Sequence, residues 1–300
     1  NYYDQGAKLF WLDVAEPEYS VYDFKNYRYQ LGSVQEVGNI YPKYYLKAFY
    51  DGMTAEGDTM PISLIRSAWA GSAKYGALVW SGDIVSTFEC FRRQVQAGLN
   101  MAIAGIPWWT TDIGGFHGAR TDDPDFHRLY IRWFEYGCFC PVMRLHGNRN
   151  PQEGYGAEQI GSGSDNEIWS FGDKAYEISK KYIFLRERLR DYIRTQMKKA
   201  HEDGTPMMRP VFYDFPTDQE SWNVEDAYLF GPDLYVAPVM EDHVTEREVY
   251  LPDGTAWFNA WTGEKYEGGQ NVTVAAPLDT IPVFVKEGAD AEKLLNIFSE

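Results

Sequence analysis

Hydrophobic runs in the first two hundred positions are short, and they end abruptly on charge. Leu9 to Leu12 is apolar or aromatic, and the run stops on Asp13, with Glu16 three residues on. Ala77 to Trp80 stops on Ser-Gly-Asp83, and Ile106 to Trp109 leads through Thr-Thr to Asp112 and two glycines. Pro61 to Ala70 reads as a strand that contains Arg66, and Val142 to Gly147 as a short strand that ends in Arg144 and His146. Between these runs the apolar period changes to that of a helix. Tyr44, Leu46, Ala48 and Phe49 mark one helix after Pro42. Phe88, Phe91, Val95, Leu99 and Ile103 mark a second, and Tyr130, Trp133 and Phe134 belong to a third over 125–139. Residues 148–172 are polar and glycine-rich and read as a long surface loop. Residues 174–202 read as one long charged helix and 206–215 as strand-like.

Strand and helix thus alternate about five times, the rhythm of parallel strands joined by crossover helices. The first run ends in carboxylates with no hairpin residue beside them, and the recurrence of acids at later strand ends predicts a β/α barrel with its chemistry at the C-terminal ends of the strands. Five units are too few to close an eight-stranded barrel, so the chain reads as strands 4–8. From about Glu225 the texture becomes short β runs broken by Pro-Asp-Gly, Thr-Gly and Gly-Gly, the pattern of a small antiparallel sandwich. The expected division is an α/β partial (β/α)8 TIM barrel over 1–224 and a β-sandwich over 225–300. The helix-like 289–300 segment has no evident place in it.

Charge narrows the partners. A net charge of −16 disfavours nucleic acid and anionic membranes. No apolar run approaches a membrane span, and no signal peptide is visible, although the chain starts at Asn1 rather than Met. Cys90, Cys138 and Cys140 are odd in number and lack metal-like spacing. They read as reduced core thiols of a cytoplasmic protein. His117 and His127, near Asp122, Asp123 and Asp125, do not match a known metal spacing, so neither metal nor cofactor is expected. The chain has 22 tyrosines and 10 tryptophans, rings that fill cores and also stack on sugar faces.

Acids at successive strand ends crowd negative charge at one barrel mouth, which suits an electron-poor reactant such as an oxocarbenium-like transition state. Here the residues resemble glycoside hydrolase family 31, the α-glucosidases and α-xylosidases. FWLDVAE is similar to that family's Trp-x-Asp-Met-Asn-Glu signature, with Val14 and Ala15 departing from it. RSAWAGSAKYGALVWSGD resembles the stretch from Arg-Ser to Trp-x-Gly-Asp. WWTTDIGGF and RWFEYGCFCPVMRLHG resemble two further site segments, and GTPMMRPVFYDFP, LFGPDLYVAPV and PLDTIPVFVKEG continue the match in order. The resemblance implies Asp13 as nucleophile and Asp83 as acid/base. It implies Trp11, Arg66, Trp80, Asp112 and His146 as sugar contacts, with Glu16, Arg144, Trp133 and Phe116 in support. The implied activity is retaining, exo-acting release of terminal α-linked glucose, or xylose, from oligosaccharides. Trp11 leans toward glucose, because some bacterial α-xylosidases carry Lys there. Transglycosylation and lyase chemistry share the same intermediate.

Other readings stay open at this stage. Asp83 and Asp112 can each close a turn, His146 can be a core histidine, and Arg144 can be structural. Trp108, Trp109 and Trp133 fit a core as well as a sugar platform. A non-catalytic carbohydrate-binding scaffold, with a barrel incomplete if nothing precedes Asn1, is the rival function. A homo-oligomer is also open.

Overall fold

The computed structural model describes residues 2–16, 25–155 and 160–299, with backbone alone for 152–155 and 160–162. Four parallel strands form the first sheet in chain order: β1 (Phe10–Leu12), β2 (Ser63–Ile65), β3 (Ala77–Trp80) and β4 (Trp109–Thr110). Register is simple. Trp11 lies opposite Leu64, Leu64 opposite Leu78, and Val79 opposite Trp109. The expected strand at Val142–Gly147 runs beside β4 but does not form a ladder. Val142 donates to Trp109 at 3.2 Å and Ile113 donates to the Arg144 carbonyl at 3.3 Å. Two bonds hold the segment extended, too few for a strand.

Helix α1 (Tyr41–Ala55) starts with Pro42 in its first turn, where a missing N–H loses nothing. Helix α2 (Phe88–Ile103) is capped by the Thr87 hydroxyl, which accepts from Cys90 N at 3.1 Å. It packs so tightly on β4 that a Cβ on Gly98 would come within 2.7 Å of the Trp109 ring. Helix α3 (Pro124–Cys138) is capped by Asp123 and is buried continuously from Leu129 to Cys138. The expected single long helix is two, α4 (Gly172–Arg188) and α5 (Arg190–Asp203), which break at the fully buried Leu189. The expected surface loop at 148–172 instead carries an antiparallel pair, β5 (Arg149–Tyr155) and β6 (Ile160–Ser164). Burial pushes the thiols of Cys138 and Cys140 up to about 12, and all three cysteines are unpaired.

The C-terminal part is a six-stranded sheet packed on a two-stranded one. Its first strand is β7 (Met208–Arg209), which pairs antiparallel with β8 (Tyr228–Phe230); β8 pairs with β9 (Leu234–Val236). Strands β10 (Glu246–Leu251) and β13 (Gln270–Ala275) form the small sheet. Strands β11 (Ala256–Asn259), β12 (Lys265–Glu267) and β14 (Val283–Lys286) complete the large one. Alternation decides which core each side chain joins. Leu229, Tyr235 and Phe284 face Val249, Leu251 and Val272 between the two sheets. Tyr228, Phe230, Leu234, Val236, Val283 and Val285 face the barrel helices in the larger core. The central strands β8, β9 and β14 are therefore buried on both faces and read as unbroken apolar runs, whereas the edge strand β12 is exposed at Lys265 and Glu267.

Helix α6 (Ala291–Ser299) closes the seam between the two parts. Leu294 and Phe298 are buried, the Phe298 ring lies 5.1 Å edge-on to Trp261, and Arg188 Nε donates to the Ile297 carbonyl at 2.9 Å. Deeper in the seam, Arg132 of α3 donates to the carbonyls of Ala276 (2.7 Å) and Pro277 (2.9 Å) and pairs with Glu135 at 3.2 Å. Tyr182 donates to Glu135 and accepts from Ile281 N.

Candidate active site

Each of β1 to β4 delivers a polar side chain at its C-terminal end. Leu12, buried at 2%, anchors the last turn of β1, and Asp13 follows at the mouth, about half exposed. The ladder continues one step past the strands, because Arg66 N donates to the Leu12 carbonyl at 3.3 Å. That step sets Arg66 beside Asp13. Its Nη1 lies 3.1 Å from Asp13 Oδ1, while Nε and Nη2 hold Glu16 bidentately at 2.9 and 2.8 Å. Glu16 thus aims Arg66, and Arg66 aims Asp13. Val14 sits at φ 54°, a left-handed conformation that a β-branched residue rarely adopts, and its N–H donates to Asp13 Oδ1 at 2.8 Å. Such strain costs about 1–3 kcal/mol and is typical of functional sites. Here it goes with a carboxylate gripped by its own neighbour's amide.

Beyond β3, Gly82 turns at φ 76°, and its missing side chain faces the aliphatic stem of Arg66 at 3.8 Å. Asp83 follows, exposed. Beyond β4, Asp112 is fully buried and ion-paired with Arg144. Burial raises its carboxyl to about 6 against the pull of Arg144, and the negative charge of Asp83 adds to the rise. Among the described residues Asp112 Oδ2 has no hydrogen-bond partner.

Aromatic rings tie these ends together. Trp11, half exposed, stands edge-on to Trp80 at 5.8 Å and to His146 at 5.0 Å. Phe116 stacks on His146 at 5.4 Å, and the Arg144 guanidinium lies 5.1 Å from the Trp11 ring and 5.7 Å from that of Trp80. His146 is pushed below its ordinary value, first by burial and then by Arg144, while Asp83 and Asp13 pull the other way. Both carboxylates therefore lie within electrostatic reach of one imidazole, which is neutral near pH 7 and able to donate or accept.

The structure gathers Asp13, Glu16, Arg66, Asp83, Asp112, Phe116, Arg144, His146 and Trp11 at one mouth. Trp80 is 1% exposed and forms the floor beneath Trp11 and Arg144. Trp133 is 0% exposed. It stacks on Phe91 at 4.9 Å and donates to Thr111 Oγ1 at 2.9 Å, so it bears on Asp112 only through the chain. Two contributors escape sequence reasoning: Thr111, whose hydroxyl ties the loop to α3, and Arg149, which lies in the stretch read as a surface loop yet is completely buried. The one available signal for Arg149 is its position three residues after His146. Among the described residues no group of His, Cys, Asp or Glu could hold a metal, and no helix is long and apolar enough to cross a membrane. His127 is engaged with the Thr121 carbonyl at 2.6 Å.

Comparison with known proteins matches residues 1–196 to the Glycosyl hydrolases family 31 TIM-barrel domain and residues 204–289 to the Glycosyl hydrolase family 31 C-terminal domain. The chain is 36% identical over 293 residues to an Alpha-xylosidase of Saccharolobus solfataricus, covering 96% of this chain and 38% of that protein. It is 33% identical over 300 residues to Alpha-glucosidase 2 of Bacillus thermoamyloliquefaciens, covering 96% and 35%. A crystal structure of a GH31 alpha-xylosidase from a soil metagenome, complexed with xylose, superposes with a TM-score of 0.95 at 56% identity, covering 98% of this chain and 44% of that one. The chain spans less than half the length of these relatives.

Proposed function

This chain belongs to glycoside hydrolase family 31, and from that premise we propose that the protein carrying it is a retaining, exo-acting α-glycosidase that releases terminal α-linked xylose. The observation that carries the reading is the mouth itself. Asp13 and Asp83 stand at the ends of β1 and β3, two strands apart, and both act on His146.

In the first step a carboxylate oxygen of Asp13 bonds to the anomeric carbon. The glycosidic C–O bond breaks, and Asp83 gives its proton to the leaving oxygen. In the second step Asp83 takes a proton from water, the water oxygen bonds to the same carbon, and the ester to Asp13 breaks, restoring the α configuration. Arg66 holds Asp13 in line, and the Val14 amide occupies one lone pair of Oδ1, so Oδ2 is the attacking atom. Asp112 Oδ2 is buried and has no partner among the described residues, so a reorientation of its side chain would bring a free acceptor to a sugar hydroxyl. Neutral His146, braced by Phe116 and Trp11, donates to another.

Xylose is placed first because the solved relative at 56% identity is an α-xylosidase complexed with xylose. Terminal α-linked glucose is the second reading. It is supported by Trp11, two residues before Asp13, and by the similarity to Alpha-glucosidase 2. Parallel release of p-nitrophenol from the α-xyloside and the α-glucoside by the intact protein tests both readings. Sugar binding with release from neither substrate defeats the hydrolase reading and favours a scaffold.

A further inference from the structure

The mouth contains a third arginine that the reaction above does not use. Arg149 is 0% exposed. Its Nη2 donates to the Ile113 carbonyl at 3.1 Å. Its Nη1 donates to the Gly115 carbonyl at 2.8 Å and to Ser86 Oγ at 3.4 Å, and its Nε donates to Asn166 Oδ1 at 2.7 Å. One face of the guanidinium lies 4.7 Å from the Phe126 ring. Among the described residues none of these acceptors is a carboxylate. A buried cation bonded to neutral oxygens is expensive, and the placement of the acceptors shows what the arrangement does.

Ser86 is three residues after Asp83. Ile113 and Gly115 lie between Asp112 and Phe116. Arg149 itself is three residues after His146. One side chain therefore joins the three loops that present the acid/base, the buried acid with its ring, and the imidazole. The backbone is shaped around it. A Cβ on Gly147 would come within 2.5 Å of Arg149 Cζ, and one on Gly114 within 3.2 Å of Nη2. The loops also grip each other. Phe116 N and His117 N both donate to the Ile84 carbonyl (2.7 and 3.0 Å), Ser86 N to His117 O (2.9 Å) and Asn148 N to Phe116 O (2.9 Å). A Cβ on Gly115 would meet the Ser86 backbone at 2.7 Å. Among the described residues Phe116 joins the three loops through its backbone, and Arg149 joins them through its side chain.

We propose that Arg149 is a positioning residue for the hydrolytic step, locking the Asp83, Asp112–Phe116 and His146 loops into one rigid unit that meets a single sugar ring. The proposal rests on the glycosidase reading. Its charge has a second effect. Together with Arg144 it holds His146 down, against Asp83 and Asp13, and it favours the ionised form of Asp112.

The test uses the intact protein with Arg149→Lys and Arg149→Met, assayed on both p-nitrophenyl α-glycosides. Melting curves and the NMR titration of His146 are recorded alongside. Lysine keeps the cation but cannot fork to Ile113, Gly115 and Ser86. We expect kcat to fall on the order of 10²-fold, the effect of a misplaced catalytic group, with KM nearly unchanged and the His146 titration where it was. With methionine, kcat falls at least as far and the His146 titration moves upward. Loss of turnover that merely tracks the unfolded fraction overturns the proposal, as does parent-like kcat in a folded Arg149→Met protein. If neither variant folds, Ser86→Ala and Asn166→Ala decide, each removing one acceptor. A fall in kcat without a fall in melting temperature supports the proposal, and parent-like kcat in both overturns it. If the parent hydrolyses no α-glycoside, the glycosidase reading has failed. An unmoved His146 titration in Arg149→Met then removes the Arg149 assignment as well.

Discussion

Two buried acid–arginine pairs in this molecule look alike and are built to opposite ends. At the barrel mouth Asp112 pairs with Arg144; in the seam between barrel and sandwich Glu135 pairs with Arg132. Both acids are fully buried, and burial raises both, Asp112 to about 6 and Glu135 to about 8. The difference lies in closure. Glu135 accepts from Arg132 on one oxygen and from Tyr182 on the other, and Arg132 also donates to carbonyls of the 276–280 turn and of Val244. Asp112 keeps one oxygen unbonded, and Arg144 is spread over the faces of two tryptophans. A closed network stabilises a fold, and an open one leaves hydrogen-bonding capacity for a ligand to complete.

The comparison is sharpest when each side is broken separately. Asp13→Ala and Asp83→Ala strike the open side hardest. Each lowers kcat by on the order of 10⁴-fold or more with little change in melting temperature, and azide restores turnover in at least one. An active Asp13→Ala protein removes the nucleophile assignment. Glu135→Ala strikes the closed side. It takes from buried Arg132 and Tyr182 the acceptor they share and lowers unfolding free energy by about 3 kcal/mol in denaturant titrations, while kcat per folded molecule is unchanged. Asp112→Asn lowers kcat/KM by roughly 10- to 10²-fold, the worth of a hydrogen bond to a charged acceptor, and barely moves the melt. Equal damage to stability and turnover from either variant dissolves the distinction.

A smaller effect appears in pH dependence. The folded state holds a proton on Glu135 up to about pH 8, whereas the unfolded chain releases it near 4.5. The stability this contributes is therefore full below about pH 4.5 and is lost as pH rises through 8. Glu135→Gln flattens that decline in melts recorded across the range; a parallel decline in parent and variant contradicts it. The smallest effect is expected at the exposed Arg93–Glu89 pair, where Arg93→Ala leaves both melt and turnover unchanged because solvent already screens it.

Much of the mouth was legible. A run that stops on an acid marks the end of a strand whatever surrounds it, so Asp13, Asp83 and Asp112 came out together with Arg66, Arg144 and His146. Residues whose roles depend on distant partners did not. Arg149 sits in a polar, glycine-rich stretch that carries every local mark of a surface loop, and the glycines that leave room for its guanidinium, Gly114 and Gly147, lie outside that stretch. Trp133 looked as suited to a sugar platform as to a core, because aromatic content does not say which way a ring faces. Helix α6 had no place in a sandwich considered alone. Its place is the seam, which exists only once the two parts pack. Met208–Arg209, expected within the barrel part over 1–224, belongs instead to the C-terminal sheet, because its hydrogen bonds go to Tyr228–Phe230.

The amino-acid sequence determined, by period and punctuation, where strands end and which acids stand there. It also set which side of each sandwich strand faces which core, since alternation is a local property of the backbone. Tertiary structure decided which arginine answers which carboxylate, which oxygen of Asp112 stays open, and that a cation three residues past His146 is buried. Those outcomes depend on desolvation and on contacts between segments far apart in the chain, and neither can be computed from neighbours along it.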